Sequence, residues 1–244
     1  MRRRLDGAEQ RAQAAALPAP KRETSRVVVK VGGAVSGDVA GEILALALAH
    51  EVCVVHGAGP QISAEMARRG LPVEFVGGRR VTTAAGLEVV RAAFAAVNAS
   101  LCEQIGALAL PLFGDALGLP ARQVPELGLV GEPEPSCPEE IVQALELGRI
   151  PVVAPLAAGP LNVNADDMAA ALAVGIGADR LVFVTDVPGV LVDGGVAASI
   201  AAGEAERLVG EGRFQGGIVP KLMAAVQATR GGVAAEIGET AVLA

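Results

Sequence analysis

Short runs of β-branched and other aliphatic residues alternate along the chain with longer stretches of helical periodicity. Each apolar run ends in glycine or polar residues, which predicts buried strands that open onto turns. Strands are predicted at residues 26–33 (RVVVKVGG), 51–60 (EVCVVHGAGP), 108–115, 150–155 and 180–191, the last as a strand, a turn and a short strand. Helices are predicted at residues 39–49, 61–69, 83–106, 138–147, 197–209 and 219–230, with a further helix from the NVNADD segment to residue 176.

The remaining segments predict extended or loop structure. Residues 72–82 predict a short hairpin, residues 116–136 predict a loop with a hairpin, and a weakly structured tail is expected after residue 230. The alternation of strands and helices predicts an α/β fold, a three-layer αβα sandwich with a mainly parallel central sheet. Ligands bind such sheets beyond the carboxyl ends of the strands, where the glycine-rich segments of this chain lie.

The amino-acid composition and the net charge exclude some classes of ligand. The 244 residues are 52% hydrophobic and include five Phe but neither Tyr nor Trp, so we expect an aliphatic core, as in buried parallel strands. The scarcity of aromatic residues excludes a platform for base stacking, and the net charge of -7 gives no basic footprint for nucleic acid. An anionic ligand would need locally placed cations and backbone N–H groups.

The sequence predicts a cytoplasmic protein. We expect no membrane span, because no apolar run reaches the length that a span needs. The basic N-terminal segment lacks the apolar region of a secretory signal. Cys53, Cys102 and Cys137 are widely spaced, which predicts reduced thiols rather than a disulfide framework or a metal site. Residues 1–25 predict a mobile extension with a short helix around residues 6–16.

Two glycine-containing turns follow the first two predicted strands. Lys30 stands near a strand end, where burial of its ammonium is costly unless it meets an anion; a lysine that reaches solvent is an equal alternative. HGAGP (56–60) places free N–H groups at a helix N-terminus, which is a ready anion site. A dinucleotide-binding loop is disfavoured because Ile62 stands where GxGxxG requires glycine. His56 is assigned no chemistry.

Two polar segments offer candidate substrate ligands. GGRRVT (77–82) supplies two arginines that could clamp a carboxylate, although two exposed arginines are the favoured alternative. NVNADD (162–167) holds four capping-type residues before a helix, which is more than one cap needs. An Asp there could orient a lysine, and an Asn could bind a substrate.

The C-terminal third adds two more candidate segments. In GGIVPK (216–221), Pro220 suits the first turn of a helix, which puts Lys221 at the positive end of the helix dipole. A bound phosphate would relieve this repulsion, and a solvated lysine with a small penalty is the alternative. TDVPGV (185–190) predicts a Pro-Gly turn that could hold a nucleotide.

Taken in order, these motifs resemble those of the amino acid kinase family, and within it the members that phosphorylate N-acetylglutamate. The resemblance rests on KVGG, HGAGP, GRRVT, FGD, GLVGEP, NVNAD, TDVPGV and GGIVPK, in unbroken order across residues 26–232. It implies a kinase domain over residues 26–244, with an acyl amino acid-binding lobe at 26–155 and an ATP-binding lobe at 156–244.

The resemblance also implies roles for individual residues. Lys30 and Lys221 would stabilise a transferring phosphoryl group, and Asp166 would organise the two lysines. The acyl amino acid would be bound by Gly57, Ala58, Gly59, Arg80 and Asn162. ATP would be bound by Gly32, Gly33, Thr185, Asp186, Val187, Pro188, Gly189, Val190 and Gly217. No residue is assigned to a metal, because Mg²⁺ is expected to be carried by the ATP phosphates.

The implied reaction is ATP-dependent phosphorylation of the side-chain carboxylate of N-acetyl-L-glutamate to N-acetylglutamyl 5-phosphate, a step of arginine biosynthesis. This carboxylate, with a pKa of about 4.3, is already ionised at neutral pH, so no general base is needed. The resemblance implies at least a homodimer, formed through the helix at residues 83–106. The alternatives are a kinase for another acyl amino acid, such as an aminoadipate derivative, or a ligand-binding relative without turnover.

Three features depart from the family pattern. Ala58 replaces a glycine of the loop and is expected to put a methyl group near the acyl substrate. The segment 98–136 is compact, and the C-terminal part is shorter than the resemblance implies.

Overall fold

A computed structural model describes residues 24–33 and 38–244. The helices are α1 (Val39–Ala47), α2 (Gly59–Arg68), α3 (Ala84–Ile105), α4 (Glu139–Glu146), α5 (Ala165–Gly175), α6 (Ala202–Gly210) and α7 (Ile218–Arg230). The first eight strands are β1 (Arg26–Val31), β2 (Glu51–His56), β3 (Phe75–Val76), β4 (Arg79–Arg80), β5 (Ala109–Phe113), β6 (Ala121–Gln123), β7 (Val130–Pro133) and β8 (Ile150–Ala154). The others are β9 (Leu156–Ala157), β10 (Leu161–Val163), β11 (Arg180–Val184), β12 (Leu191–Val192), β13 (Gly195–Val196), β14 (Ser199–Ala201), β15 (Ala234–Ile237) and β16 (Thr240–Leu243).

One eight-stranded sheet runs through the molecule, in the order β14-β16-β15-β11-β1-β2-β8-β5. The neighbouring strands are parallel except for β15 and β16, which form an antiparallel hairpin. The sheet takes strands from both predicted lobes, and the division into two lobes stays a prediction. The predicted α/β class with a mainly parallel sheet is confirmed.

The alternation of side chains along β1 divides the core into two layers. Val27 and Val29 pack with α1 and α3, whereas Val28 packs with α4, α5, α6 and α7 on the other face of the sheet. Successive side chains of a strand point to opposite faces, so Lys30 shares the face of Val28. This periodicity directs Lys30 towards α5, whose first turn carries Asp166.

A second sheet and a hairpin lie beside the carboxyl ends of the main strands. The second sheet has the order β6-β7-β10-β9, and β3 and β4 form the hairpin. The hairpin turn is Gly77–Gly78, and both glycines have positive φ values, 55° and 78°. Two positive φ values are typical of the tight turn that suits a two-residue hairpin.

Side-chain caps fix the starts of three helices. The side chains of Asp38, Thr83 and Asn164 accept hydrogen bonds from backbone N–H groups in the first turns of α1, α3 and α5. Asn164 accepts from both Asp166 and Asp167. One cap thereby orients the two acidic residues of the NVNADD segment.

The structure corrects several predicted boundaries. The predicted tail after residue 230 is the β15–β16 hairpin, which pairs with β11 and β14 and so joins the edge strand β14 to the sheet. The predicted loop before NVNADD contains β9, strand β10 runs from this loop into the first two residues of NVNADD, and residues 199–201 form β14 rather than the start of a helix. These segments are short, and their sheet pairing decides their conformation over local propensity. The predicted helix at residues 6–16 lies outside the described residues.

Helix α3 also corrects an expectation. Residues Ala84–Leu108 are long and apolar enough to cross a membrane by length and composition. One face of α3 packs into the core through Leu87, Val90, Phe94 and Leu101. Packing on the sheet accounts for the apolar character of this face.

Candidate active site

Three charged side chains from three elements meet beyond the carboxyl end of β1. The ammonium of Lys30 lies 2.7 Å from Oδ1 of Asp166, and the ammonium of Lys221 lies 3.6 Å from the same oxygen. Lys30 and Asp166 are only 4% and 6% exposed. The chain contains three lysines, at positions 21, 30 and 221, and two of them share this one carboxylate. The cluster carries a net positive charge.

Burial acts directly on the proton affinity of Lys30. Desolvation lowers the pKa of Lys30, the negative charge of Asp166 raises it in part, and the positive charge of Lys221 lowers it again. Asp166 therefore helps to keep Lys30 charged in a place that disfavours charge. An anion that binds between the two lysines would also raise the pKa of Lys30 and favour its charged form.

Two glycine loops meet next to this cluster. A Cβ atom added to Gly33 would lie 3.0 Å from Cα of Ala58 and 3.1 Å from N of Gly59, so the close approach of the loops favours glycine at position 33. Gln61 Nε2 donates to the carbonyl of Gly33 across the same junction. Within the described residues, the N–H groups of Ala58 and Gly59 at the start of α2 have no hydrogen-bond acceptor. Free N–H groups at a helix N-terminus bind anions.

The departure at Ala58 is accommodated without crowding the site. Ala58 has a φ of -146°, which any residue can adopt, so glycine is not required. Ala58 is 1% exposed and belongs to the cluster of Ile62, Met66 and Phe94. The methyl group is largely enclosed by the core, and its position near a substrate stays a prediction, since Ala58 also lines the first cavity.

Arg80 is a buried cation that has no anionic partner among the described residues. It is 6% exposed, and its guanidinium donates to the carbonyl of Gly59 at 3.1 Å and to Ser63 Oγ at 2.7 Å. The ring of Phe75 lies 4.5 Å below it, in a cation–π contact. None of its contacts within residues 24–33 and 38–244 is to a carboxylate, and burial lowers its pKa. A buried, unpaired guanidinium is costly unless an anionic ligand meets it.

Asn162 connects β10 to the same segment. Its Nδ2 donates to Thr82 Oγ1 at 3.0 Å, and Thr82 Oγ1 donates to the carbonyl of Arg80 at 2.9 Å. Both Asn162 and Thr82 are buried. Asn162 therefore reaches the site and also braces the strand that carries Arg80.

Two cavities adjoin at the lysine cluster. The first, of about 410 Å³, contains the glycine loops, and the second, of about 510 Å³, lies along the 185–191 segment and the start of α7. Predicted site residues that line the first are Lys30, Gly32, Gly33, Gly57, Ala58, Gly59, Arg80, Asn162, Asp166, Thr185, Asp186, Gly217 and Lys221. Predicted residues that line the second are Thr185, Asp186, Val187, Gly189, Gly217 and Lys221.

Two predicted nucleotide ligands line neither of these two cavities. Val190 is fully buried and its N–H donates to Thr240 Oγ1, while the carbonyl of Pro188 accepts from the N–H of Glu239. These contacts hold the 185–191 segment against the β15–β16 turn. Pro188 and Val190 therefore influence the shape of the 185–191 segment without lining either cavity.

Sequence reasoning treated the two arginines of GGRRVT alike, and the structure separates them. Both line the first cavity, but Arg79 pairs with Asp167 at 3.0 Å and with Glu132 at 3.2 Å, whereas the contacts of Arg80 in the described residues are all to neutral groups. Asn164 Nδ2 also donates to the carbonyl of Gly78. These contacts join the β3–β4 hairpin to the start of α5.

The sequence motifs do not include the apolar residues that line the two cavities. Ile62, Phe75, Phe94 and Val130 line the first cavity, and Leu191, Phe214 and Ile218 line the second. Isolated apolar residues in hairpins and loops carry no pattern that separates a cavity wall from a core. Within the described residues, no group of three or more His, Cys, Asp or Glu side chains could hold a metal ion.

The sequence of this chain was compared with those of known proteins and protein families. The sequence model described as the amino acid kinase family matches residues 25–238. An acetylglutamate kinase from Rubrobacter xylanophilus is 43% identical over 224 residues, covering 86% of this chain and 87% of the relative. One from Syntrophomonas wolfei is 38% identical over 236 residues, covering 85% and 80%.

A solved structure agrees at the level of the fold. The protein smu.665 from Streptococcus mutans superposes with a TM-score of 0.81 at 28% identity, over 89% of this chain and 98% of that one. The family model spans the residues that build the site, and both relatives and the solved structure cover at least 85% of this chain. The chain therefore belongs to the amino acid kinase family.

Proposed function

We propose that the protein transfers the γ-phosphoryl group of ATP to the side-chain carboxylate of N-acetyl-L-glutamate and forms N-acetylglutamyl 5-phosphate for arginine biosynthesis. The observation that carries this proposal is the Lys30–Asp166–Lys221 cluster at the junction of two cavities. A reaction between two anions needs a site for each and positive charge where they meet. The names of the acetylglutamate kinases that align with this chain support the choice of substrate.

The reaction needs no general base. A carboxylate oxygen of the substrate attacks the γ-phosphorus while the bond from that phosphorus to the β–γ bridging oxygen breaks, which gives an acyl phosphate and ADP. The attacking carboxylate, with a pKa of about 4.3, is ionised at neutral pH. Lys30 and Lys221 offset the repulsion between the two anions and stabilise the charge on the transferring group. Asp166 Oδ1 lies 2.7 and 3.6 Å from the two ammonium groups and would orient both.

The first cavity is proposed to bind the acyl amino acid. Arg80 would pair with the α-carboxylate, because it is a buried cation whose contacts in the described residues are all to neutral groups. The free N–H groups of Ala58 and Gly59 would bind oxygens of the reacting end, with Gly57 shaping the turn. Asn162 would contact the neighbouring polar groups of the substrate.

The second cavity is proposed to bind ATP. Its walls combine Thr185, Asp186, Val187 and Gly189 with apolar side chains of Leu191, Phe214 and Ile218, which suit a nucleoside. Gly32, Gly33 and Gly217 would let the phosphates approach the lysines. Mg²⁺ would enter as the MgATP complex and neutralise phosphate charge. Asp166 is committed to the lysines, so the described residues supply no dedicated carboxylate cage for a resident ion.

The proposed activity is tested by an ATP-dependent assay that traps the acyl phosphate with hydroxylamine. N-acetylglutamate, N-acetylaminoadipate and free glutamate are compared at equal concentrations, with and without Mg²⁺. Selective turnover of N-acetylglutamate is expected. Selective turnover of N-acetylaminoadipate would replace the substrate, and ATP binding without turnover of any of the three would contradict the proposed activity.

We further propose a cytoplasmic homodimer formed through α3. The cytoplasm supplies ATP, and Cys53, Cys102 and Cys137 are all unpaired, as expected of a reducing compartment. The face of α3 away from the core exposes Ala92, Ala95 and Ala99, which allows close approach of a second helix. Light scattering on the purified chain, with Ala95→Glu as the disrupting variant, tests the dimer.

A further inference from the structure

His56 is the last residue of β2 and directly precedes the loop that carries the free N–H groups. It is 0% exposed, and the proposed reaction gives it no part. Its ring contacts the edge of Phe94, with the centroids 5.9 Å apart and the planes at 76°. Its nitrogen atoms face two different groups: Nε2 faces Asn98 of α3, and Nδ1 faces the carbonyl of Gly57.

The hydrogen bonds of Asn98 determine which nitrogen of His56 carries the proton. Asn98 Nδ2 lies 2.8 Å from the carbonyl of Val152, which can only accept, so the nitrogen of the amide must be on this side. Cys102 Sγ donates to Asn98 Oδ1 at 3.5 Å, which agrees with this orientation. The second proton of the same amide points to His56 Nε2 at 3.1 Å. Nε2 must therefore accept, and a neutral ring then carries its proton on Nδ1.

The ring is neutral by burial. Desolvation lowers the pKa of His56 to about 4, against a smaller opposite effect of the hydrogen bond to Gly57. An imidazolium would also bring an N–H on Nε2 against the donor of Asn98. The geometry and the burial both select the neutral form with the proton on Nδ1.

The Nδ1 proton of His56 can orient the loop that begins at Gly57 through the peptide group between Gly57 and Ala58. Nδ1 lies 3.4 Å from the carbonyl oxygen of Gly57, a long contact that sets direction more than it adds stability. The carbonyl of Gly57 and the N–H of Ala58 belong to the same planar trans peptide and point in opposite directions. A carbonyl turned towards the buried His56 therefore turns the Ala58 N–H towards the first cavity, which Gly57 and Ala58 line.

We propose that His56 is a positioning residue, held in its Nδ1-protonated neutral form by Asn98, that orients the Gly57–Ala58 peptide so that the Ala58 N–H can bind the acyl substrate. The binding part of this inference rests on the proposed function. The tautomer and the orientation stand on contacts within the protein. Helix α3 is thereby linked to the substrate loop through Asn98.

The first test is the ¹⁵N NMR spectrum of the full chain with labelled histidine. The chain has two histidines, so a His50→Gln variant leaves the signals of His56 alone. A protonated Nδ1 and an unprotonated Nε2, with no titration between about pH 5 and 8, are expected. A proton on Nε2, or a charged ring at neutral pH, would overturn the proposal. This result does not depend on any activity.

The second test compares two substitutions, each of which places a side-chain amide near the position of only one of the two ring nitrogens. The amide of His56→Asn can place a donor near the position of Nδ1, whereas that of His56→Gln reaches the position of Nε2. We expect His56→Gln to raise KM for N-acetylglutamate about tenfold, His56→Asn to raise it much less, and both to leave KM for ATP unchanged. Circular dichroism checks that both variants fold.

Equal kinetic effects of the two folded variants would contradict the positioning role. A wild-type protein that binds ATP but does not turn over N-acetylglutamate would count against the proposed function instead. In that case, the ¹⁵N spectrum still decides the protonation state of His56.

Discussion

The ammonium of Lys30 is 2.7 Å from Oδ1 of Asp166, and both side chains are almost completely buried at the junction of two cavities. Lys221 approaches the same oxygen from the start of α7. A buried charge pair rarely stabilises a protein more than apolar packing would. The excess positive charge at this place is better explained by an anion that binds between the lysines.

Replacement of either lysine by methionine is expected to lower kcat by about 10²–10³-fold, because each ammonium stabilises charge that develops during transfer. Methionine keeps most of the aliphatic volume and removes the charge. Steady-state kinetics with N-acetylglutamate measures the loss. The matched control is Arg207→Met, which removes an exposed cation of α6 that pairs with Glu204 and Glu211. Activity near the wild-type level in Lys221→Met would disprove the two-lysine mechanism.

The pKa of Lys30 can be followed directly. With lysines only at positions 21, 30 and 221, ¹³Cε labelling gives few signals, and Lys30→Met assigns the one of interest. We expect Lys30 to titrate below the ordinary lysine value of 10.5, because burial lowers its pKa. Asp166→Asn should lower this pKa further, since it removes a negative charge, and Lys221→Met should raise it. Shifts of the opposite sign would show that the three charges are not coupled as described.

Much of the fold follows from residue patterns that the chain itself displays. Nearly continuous apolar runs rich in valine in residues 26–31 and 51–56 identify strands buried on both faces, and the long helical period of residues 84–105 identifies α3. The β15–β16 hairpin escaped prediction because its strands have four residues each and include Ala234, Ala235 and Ala241. Their conformation depends on pairing with distant strands, which a local pattern does not contain.

The candidate site was predictable where one motif carries its own chemistry. Lys30, Asp166, Lys221 and Arg80 were identified, and the structure places all four in one cavity. The different partners of Arg79 and Arg80 could not be foreseen, because adjacent residues of a two-residue strand face opposite ways and meet different elements. The burial of the Ala58 methyl group likewise depends on α3, which is remote in sequence.

Arg79 is expected to stabilise the protein through Asp167. Burial raises the pKa of Asp167, and the charge of Arg79 opposes that rise. Arg79→Met should therefore lower the free energy of unfolding by about 1–2 kcal/mol, the cost of leaving a largely buried carboxylate without its partner, reduced for partial exposure. Urea unfolding at neutral pH measures the change.

The pH dependence and a double variant separate this effect from lost packing. Without Arg79 the folded-state pKa of Asp167 rises further above its ordinary value of 3.8, so the deficit should disappear at low pH and grow as pH rises through the folded-state pKa. Arg79→Met combined with Asp167→Asn should be more stable than Arg79→Met alone. A deficit that is the same at all pH values would assign the loss to packing.

Ala58→Gly is expected to leave substrate choice unchanged. The Ala58 methyl group packs with Ile62, Met66 and Phe94, so its removal affects the core before it affects the cavity. The variant should lose about 0.5–1 kcal/mol of stability from added backbone freedom and lost packing. The ratio of kcat/KM for N-acetylglutamate and N-acetylaminoadipate measures selectivity. A marked change in this ratio would show that the methyl group contacts the substrate.

Thr240 lines neither of the two cavities, and its substitution tests whether the second cavity binds ATP. Its hydroxyl accepts from the N–H of Val190 at 2.8 Å and donates to the carbonyl of Ala197 at 2.7 Å, so it anchors the 185–191 segment to β16. Thr240→Val keeps the shape but leaves both backbone groups without this partner, which should cost about 1–3 kcal/mol of stability. Because the segment lines the second cavity, KM for ATP should rise while KM for N-acetylglutamate stays constant.

The matched control for this variant is Thr229→Val. Thr229 is also buried and lines neither cavity; its hydroxyl lies 2.8 Å from the carbonyl of Ala225 in α7 and 3.4 Å from that of Val242 in β16. Its replacement should lower stability without changing either KM. An equal rise of KM for ATP in both variants would attribute the effect to general loosening of the protein. A rise confined to Thr240→Val would support an ATP site whose wall is held in place by the C-terminal hairpin.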